Sequence, residues 1–121
     1  MKITITSSGP DLKSEIDPRF GRCPYFIVYD IENDNFEVLE NSNINGMGDV
    51  GIQSAQMIAD KEVKAVITGH CGPNAFRTLN SSSIEIFTGV TGTIEEIVQK
   101  YKEGTLTPAN HPNAAPHSGQ R

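Results

Sequence analysis

Alternation of apolar and polar residues predicts three strands in the first third of the chain. Ile3 and Ile5 alternate with threonines, and the pattern of period two returns at residues 25–31 and 36–38. The polar cluster at residues 32–35 is short enough to join the second and third strands as an antiparallel hairpin. An antiparallel meander is therefore expected at the start of the chain.

After residue 49 the spacing of apolar residues becomes helical. The pattern predicts a helix that runs to about residue 61, with Asp49 as its N-cap. A strand at 64–68, a short helix with Pro73 in its first turn and a strand at 84–88 follow. This succession is typical of a crossover between parallel strands.

The last helix carries signals at both ends. Thr93 and Glu96 fit a capping box, and Gly104 follows the final apolar position. Together the elements predict an α/β domain of the ribonuclease-H-like kind, in which about three helices cover a mixed five-stranded sheet. That sheet would combine the antiparallel meander with parallel strands.

The length of 121 residues favours one domain, which we place at residues 1–104. Residues 105–121 contain three prolines, and we expect a flexible tail there. His111 and His117 of this tail could fold over a metal site on the body. The alternative is a solvated tail with incidental histidines.

Net charge and hydropathy exclude two classes of partner. The formal net charge is −5 and lysine or arginine residues do not cluster with aromatic ones, so we expect no nucleic-acid partner. No apolar run approaches the roughly 20 residues of a membrane span, and the first residues resemble a strand, so we expect a cytoplasmic protein without a membrane partner. The cysteines, Cys23 and Cys71, form no C-x-x-C motif and are expected to be thiols.

One thiol lies where an apolar strand meets a helix. His70, Cys71 and Gly72 follow the strand at 64–68 and precede the helix that starts near Pro73. Unpaired N–H groups and the helix dipole favour an anion at such a position, and they predict a lowered pKa for Cys71. The alternative is a small buried residue at the start of a helix.

The second thiol lies in a loop rich in proline and glycine. Arg19 and Arg22 flank Gly21 and stand beside Cys23, so the loop offers permanent positive charge next to a soft ligand of the kind that iron, copper or molybdenum clusters accept. The alternative is an ordinary ordered loop, in which Asp17 pairs with an arginine and Phe20 packs in the core.

Two further loops contain glycines. In residues 41–48, Met47 lies between two glycines and could be a thioether ligand or a lid, although a plain turn explains it equally well. In residues 89–92, Gly89, Thr91 and Gly92 follow a parallel strand. Because loops at the carboxyl ends of parallel strands line one crevice, we expect this loop beside Cys71.

Three ordered motifs resemble those of a known family. They are residues 17–26 (DPRFGRCPYF), residues 69–76 (GHCGPNAF) and residues 88–93 (TGVTGT) before the last helix. They resemble the dinitrogenase iron-molybdenum cofactor biosynthesis family, which includes NifX-type carriers and orange-protein-like single-domain proteins. The resemblance implies a carrier or chaperone of a preformed metal–sulfur cluster more than a catalyst.

The resulting hypothesis is a cytosolic carrier of an anionic cluster, which could be iron–molybdenum-cofactor-like, molybdenum–copper or iron–sulfur. Its candidate metal ligands are Cys23, His70 and Cys71. The other candidate binding residues would balance charge, donate hydrogen bonds or close over the cluster: Arg19, Gly21, Arg22, Met47, Gly72, Asn74, Gly89, Thr91 and Gly92. A carrier implies a protein that donates or accepts the cluster.

Two alternatives come from other functional classes. Cys71 and Arg77 have the spacing of a cysteine-dependent phosphatase, with thiolate nucleophile and phosphate-binding arginine. Against this, Pro73 removes one of the N–H donors such a loop needs. The other alternative is a regulatory or scaffolding domain without a cofactor. A nuclease is disfavoured, because the first strand lacks carboxylates.

Overall fold

The computed structural model describes residues 1–42 and 50–113, which form five strands and three helices. The strands are β1 (Lys2–Ser7), β2 (Tyr25–Asp30), β3 (Asn35–Glu40), β4 (Ala65–Ile67) and β5 (Glu85–Phe87). The helices are α1 (Val50–Ala59), α2 (Pro73–Ser81) and α3 (Ile94–Glu103).

The strands form one mixed sheet in the order β3-β2-β1-β4-β5. β2 pairs antiparallel with both β1 and β3, whereas β4 is parallel to β1 and to β5. The register places Ile5 between Ile27 of β2 and Ile67 of β4. The predicted ribonuclease-H-like sheet, with its hairpin and its parallel crossover, is therefore confirmed.

Both faces of the sheet are buried, and the helices are divided between them. Residues of β2 and β4 such as Phe26 and Val66 pack with Ala55 of α1 and Leu79 of α2. The opposite face packs with Ile94, Ile97 and Val98 of α3. Burial of each large apolar side chain contributes about 1.5–3 kcal/mol, so the sheet is held from both sides. Cys23 and Cys71 belong to the face covered by α1 and α2.

The ends of the helices follow local chemistry. Thr93 and Glu96 form the predicted capping box of α3, and Gly104 ends that helix with φ 72°. Pro73 occupies the start of α2, where its missing N–H costs no helical bond. α1 ends at Ala59, two residues before the predicted end near residue 61, and a turn in which Glu62 takes φ 58° follows. The predicted N-cap Asp49 lies outside the described residues.

Residues 105–113, here called the C-terminal strap, lie along the outer side of β5. Pro108 forms an isolated bridge with Phe87, and the N–H of Ala109 donates to the carbonyl of Ile86 at 2.7 Å. Ala109 also packs against the core on the α1 and α2 side. Within the described ranges, no helix has the length and apolar character needed to cross a bilayer.

Candidate functional site

Loops from both halves of the sequence meet at one edge of the sheet. β1, β4 and β5 end there, and β2 begins there because Ser7 pairs with Tyr25. Under these loops the hydroxyl of Thr6 donates to the carbonyl of Asp17 at 2.6 Å and lies 2.9 Å from the hydroxyl of Thr68. In open α/β sheets the carboxyl edge is where ligands bind.

The loop that carries Cys23 docks directly on the segment that carries Cys71. The N–H of His70 donates to the carbonyl of Pro18 at 2.6 Å, and the N–H of Phe20 donates to the carbonyl of His70 at 3.1 Å. Arg19 and His70 are therefore partners in a parallel bridge. A Cβ at Gly69 would lie 2.7 Å from the Cα of Pro18, so only glycine permits this approach.

A buried carboxylate orients one of the two arginines. Asp17 is 5 % exposed and accepts from the Nε and Nη2 groups of Arg19 at 3.2 and 3.1 Å. This hydrogen bonding raises the pKa of Arg19. The Arg19 side chain is still 61 % exposed, and Phe20 is buried in the core. The contacts expected of an ordinary ordered loop are thus present, yet they also hold a guanidinium at the rim.

Asn41 fixes the same loop from below. Its amide group donates to the carbonyls of Gly21 and Cys23 at 3.0 and 2.8 Å, and the residue is 4 % exposed. Sequence reasoning did not single out this residue. The hairpin register could have found it, because Tyr25 pairs with Glu40, the last residue of β3, and the residue after β3 must then lie opposite the loop that leads into β2.

Both cysteine thiols are buried. Cys23 and Cys71 are 0 % exposed, and burial raises the pKa of each thiol to about 12. At Cys23 the nearby Asp17 carboxylate contributes to this rise in pKa after burial. The predicted lowering of the Cys71 pKa is wrong, because loss of hydration in the apolar core outweighs the field at the start of α2. In this conformation both groups are neutral thiols at pH 7.

The glycine loop after β5 lies beside the Cys71 segment, as predicted. The N–H of Gly89 donates to the carbonyl of Gly69 at 2.8 Å, and the N–H of Val90 donates to Thr68. Gly92 belongs to a different contact, since its carbonyl accepts from Ile16 at 2.9 Å. Thr91 is exposed.

The side chain of Asn113, in the C-terminal strap, forms two hydrogen bonds with the backbone of the Cys71 segment. Its side-chain oxygen accepts from the N–H of Cys71 at 2.8 Å, and its side-chain nitrogen donates to the carbonyl of Gly69 at 2.8 Å. Nothing in the sequence predicts this contact, because Asn113 lies 42 residues after Cys71 and belongs to no periodic pattern and no motif.

A family comparison covers all three of these loops. Residues 1–104 match the family model described as "Dinitrogenase iron-molybdenum cofactor". The chain belongs to this family. The matched region includes both cysteine loops and the glycine loop after β5, which are the three segments that meet at the sheet edge.

Relatives of known structure share the fold over almost their whole length. The apo form of the orange protein from Desulfovibrio gigas is 32 % identical, with TM-score 0.89 over 93 % of this chain and 95 % of that one. A Thermotoga protein provisionally named NifB is 36 % identical, with TM-score 0.77 over 88 % and 91 %. In sequence alone, an uncharacterized protein of Methanocaldococcus jannaschii is 36 % identical over 109 residues, which cover 88 % of this chain and 89 % of that protein.

The remaining candidate residues of this family member are placed as follows. Three of them are exposed, namely Arg22, His70 and Asn74. Gly72 is half-buried and is the N-cap of α2. Gly21 takes φ 96° and lies close to Gly51 of α1. Met47 and His117 lie outside the described residues. Within residues 1–42 and 50–113, no three His, Cys, Asp or Glu side chains converge as a metal site.

The geometry does not favour a phosphatase. A thiolate nucleophile needs a lowered pKa, whereas burial raises that of Cys71 to about 12. The N–H of Cys71 already donates to Asn113, and Pro73 provides no N–H. The spacing of Cys71 and Arg77 is therefore not accompanied by the loop geometry of that enzyme class.

Proposed function

We propose that this protein binds a preformed anionic metal–sulfur cluster at the carboxyl edge of its sheet and carries it as cargo. The observation that supports the proposal most is the bridge between Arg19 and His70, which joins the arginine–thiol loop to the histidine–thiol loop. Family membership supports a role with a metal-containing cofactor. The term "apo form" used for the orange protein also implies a relative that takes a cofactor.

The arginine side chains supply the first contact with the cargo. Asp17 engages the Nε and Nη2 groups of Arg19, and the guanidinium, which carries five N–H donors, belongs to a side chain that is 61 % exposed. Arg22 adds a second exposed guanidinium from the same loop. Guanidinium groups hydrogen-bond anions through several donors at once, which suits a cluster with sulfur atoms on its surface.

The thiols act after this capture. Cys23 and Cys71 are buried and protonated, so they cannot ligate a metal in the conformation described. A cysteine thiol must lose its proton to ligate a metal ion, and binding to the metal favours that loss. We therefore assign electrostatic capture to Arg19 and Arg22, and metal ligation by Cys23, Cys71 and the exposed His70 to a second step that requires movement of the Cys71 loop.

Reconstitution under anaerobic conditions tests the function. The protein is mixed with tetrathiomolybdate and copper(I), or with an iron–sulfur source, and metal content and visible absorption are measured after desalting. We expect stoichiometric metal and charge-transfer bands. A colourless and metal-free protein under both conditions would refute the carrier function.

Two sets of variants then separate capture from ligation. Arg19→Gln with Arg22→Gln should weaken cluster binding at least tenfold, since each loses charged hydrogen bonds worth about 1.5–3 kcal/mol. Arg77→Gln on α2 is the control, because it removes an equally exposed arginine outside these loops. Cys23→Ser with Cys71→Ser should weaken the absorption bands, whereas unchanged bands would show that the cluster is cradled without thiol ligation.

A further inference from the structure

Asn113 links the C-terminal strap to two backbone groups of the Cys71 segment. Its amide group provides one acceptor and one donor, as a peptide unit does, and these pair with the N–H of Cys71 and the carbonyl of Gly69. Both bonds are 2.8 Å long, which is ordinary for such groups. The strap is thus joined to the segment through a single side chain.

This contact uses a donor that an anionic ligand would need. The N–H of Cys71 lies one residue before Gly72, the N-cap of α2. While it donates to Asn113, it is not open to a cluster sulfur. Asn113 and an anionic cargo therefore compete for the same position.

The rest of the strap is lightly attached. Ala109 donates one bond to Ile86, and residues 110 and 111 are exposed. An open cleft of about 350 Å³, lined by Phe76, Ile86 and Pro108 among others, lies between the strap and the body. Such a segment can detach locally while the sheet and the helices stay folded.

We propose that Asn113 is a clasp that controls access to Cys71, and that an anionic cluster reaches this thiol only after the clasp opens. The second part of this inference rests on the proposed carrier function. Two neutral hydrogen bonds shift an opening equilibrium by about tenfold to a hundredfold. Removing them should increase the fraction of open molecules by that factor.

Thiol labelling tests the clasp without any cluster. The rate at which an aromatic disulfide reagent labels Cys71 is measured under native conditions in a Cys23→Ala background. We expect Asn113→Ala to accelerate labelling at least tenfold. Asn110→Ala is the matched control, since it alters an exposed asparagine of the same strap, and it should leave the rate unchanged.

A second reporter separates local opening from general loss of stability. In a Cys71→Ala background, Asn113→Ala should leave the labelling rate of Cys23 unchanged, because Asn41 holds the loop that carries Cys23 through the carbonyls of Gly21 and Cys23. Equal rates with and without Asn113, or a parallel rise at both cysteines, would overturn the clasp.

The effect on cargo is measured separately with tetrathiomolybdate and copper(I). We expect Asn113→Ala to take up metal faster than the unmodified protein. Faster labelling with an unchanged uptake rate would overturn the control of loading. Faster labelling while no variant takes up metal would support the clasp and refute the carrier function, so the two failures are distinguishable.

Discussion

Replacing Gly69 with alanine tests the contact that joins the two cysteine loops. The new Cβ would lie 2.7 Å from the Cα and 2.8 Å from the Cβ of Pro18, whereas ordinary contact starts at 3.4 Å. The loops must therefore separate by about 0.7 Å, which weakens the bonds that His70 makes with Pro18 and Phe20, now 2.6 and 3.1 Å long.

The cost of this separation follows from overpacking. Forcing an extra carbon into a tight contact costs about 1–3 kcal/mol. With an unfolding entropy of about 2.1 cal/mol/K per residue, a loss of about 2 kcal/mol lowers the Tm of a chain of this length by about 8 °C. Urea unfolding followed by circular dichroism measures the change in free energy directly.

Gly72→Ala is the matched control for this substitution. Gly72 takes φ −73°, and a Cβ built there meets no atom within 4 Å. Loss of a favourable N-cap residue and reduced entropy of the unfolded chain nearly cancel, so we expect a change within about 0.5 kcal/mol. Equal urea midpoints for the two variants would refute the argument that the approach of Pro18 requires glycine at position 69.

Two further predictions concern the support of the site and its thiols. Asn41→Ala should cost about 1–3 kcal/mol, because it leaves the carbonyls of Gly21 and Cys23 without their donor, whereas Ser42→Ala on the exposed neighbouring residue should have little effect in the same urea assay. Stability should fall between about pH 9 and pH 12, because burial raises the pKa of Cys23 and Cys71 from the ordinary value of 9.0 to about 12, so the unfolded chain loses these protons first. Each cysteine should contribute up to about 1.4 kcal/mol per pH unit to this slope, and replacing both cysteines with alanine should remove their contribution. A slope that is the same in this alanine variant would show that other groups cause the alkaline loss.

Local sequence patterns predict the sheet and most of its helices because each depends on nearby residues. The hairpin, the Thr93 capping box and Pro73 at the start of α2 are all short-range features. The end of α1 is predicted only to within two residues, because the turn after it is made by Glu62 with φ 58° and no glycine marks it.

The candidate site is less predictable because its contacts are between distant segments. Local reasoning at the start of α2 gave a lowered pKa for Cys71, yet the thiol is buried by residues from several elements. Gly69 is required by Pro18, which is remote in sequence, and not by a positive φ of its own. Asn113 forms its contacts across more than 40 residues. The motifs located the loops, whereas tertiary packing determined which groups are exposed.

Pro108 and Ala109 also protect the outer edge of the sheet. An edge strand presents unpaired backbone groups to other chains, and β5 would do so at Ile86 without the bond from Ala109. A strap that opens to admit a ligand would therefore expose a strand edge at the same moment. β5 is only three residues long, which leaves few groups for a second chain to pair with. Its shortness would let this edge be uncovered repeatedly with little tendency to aggregate.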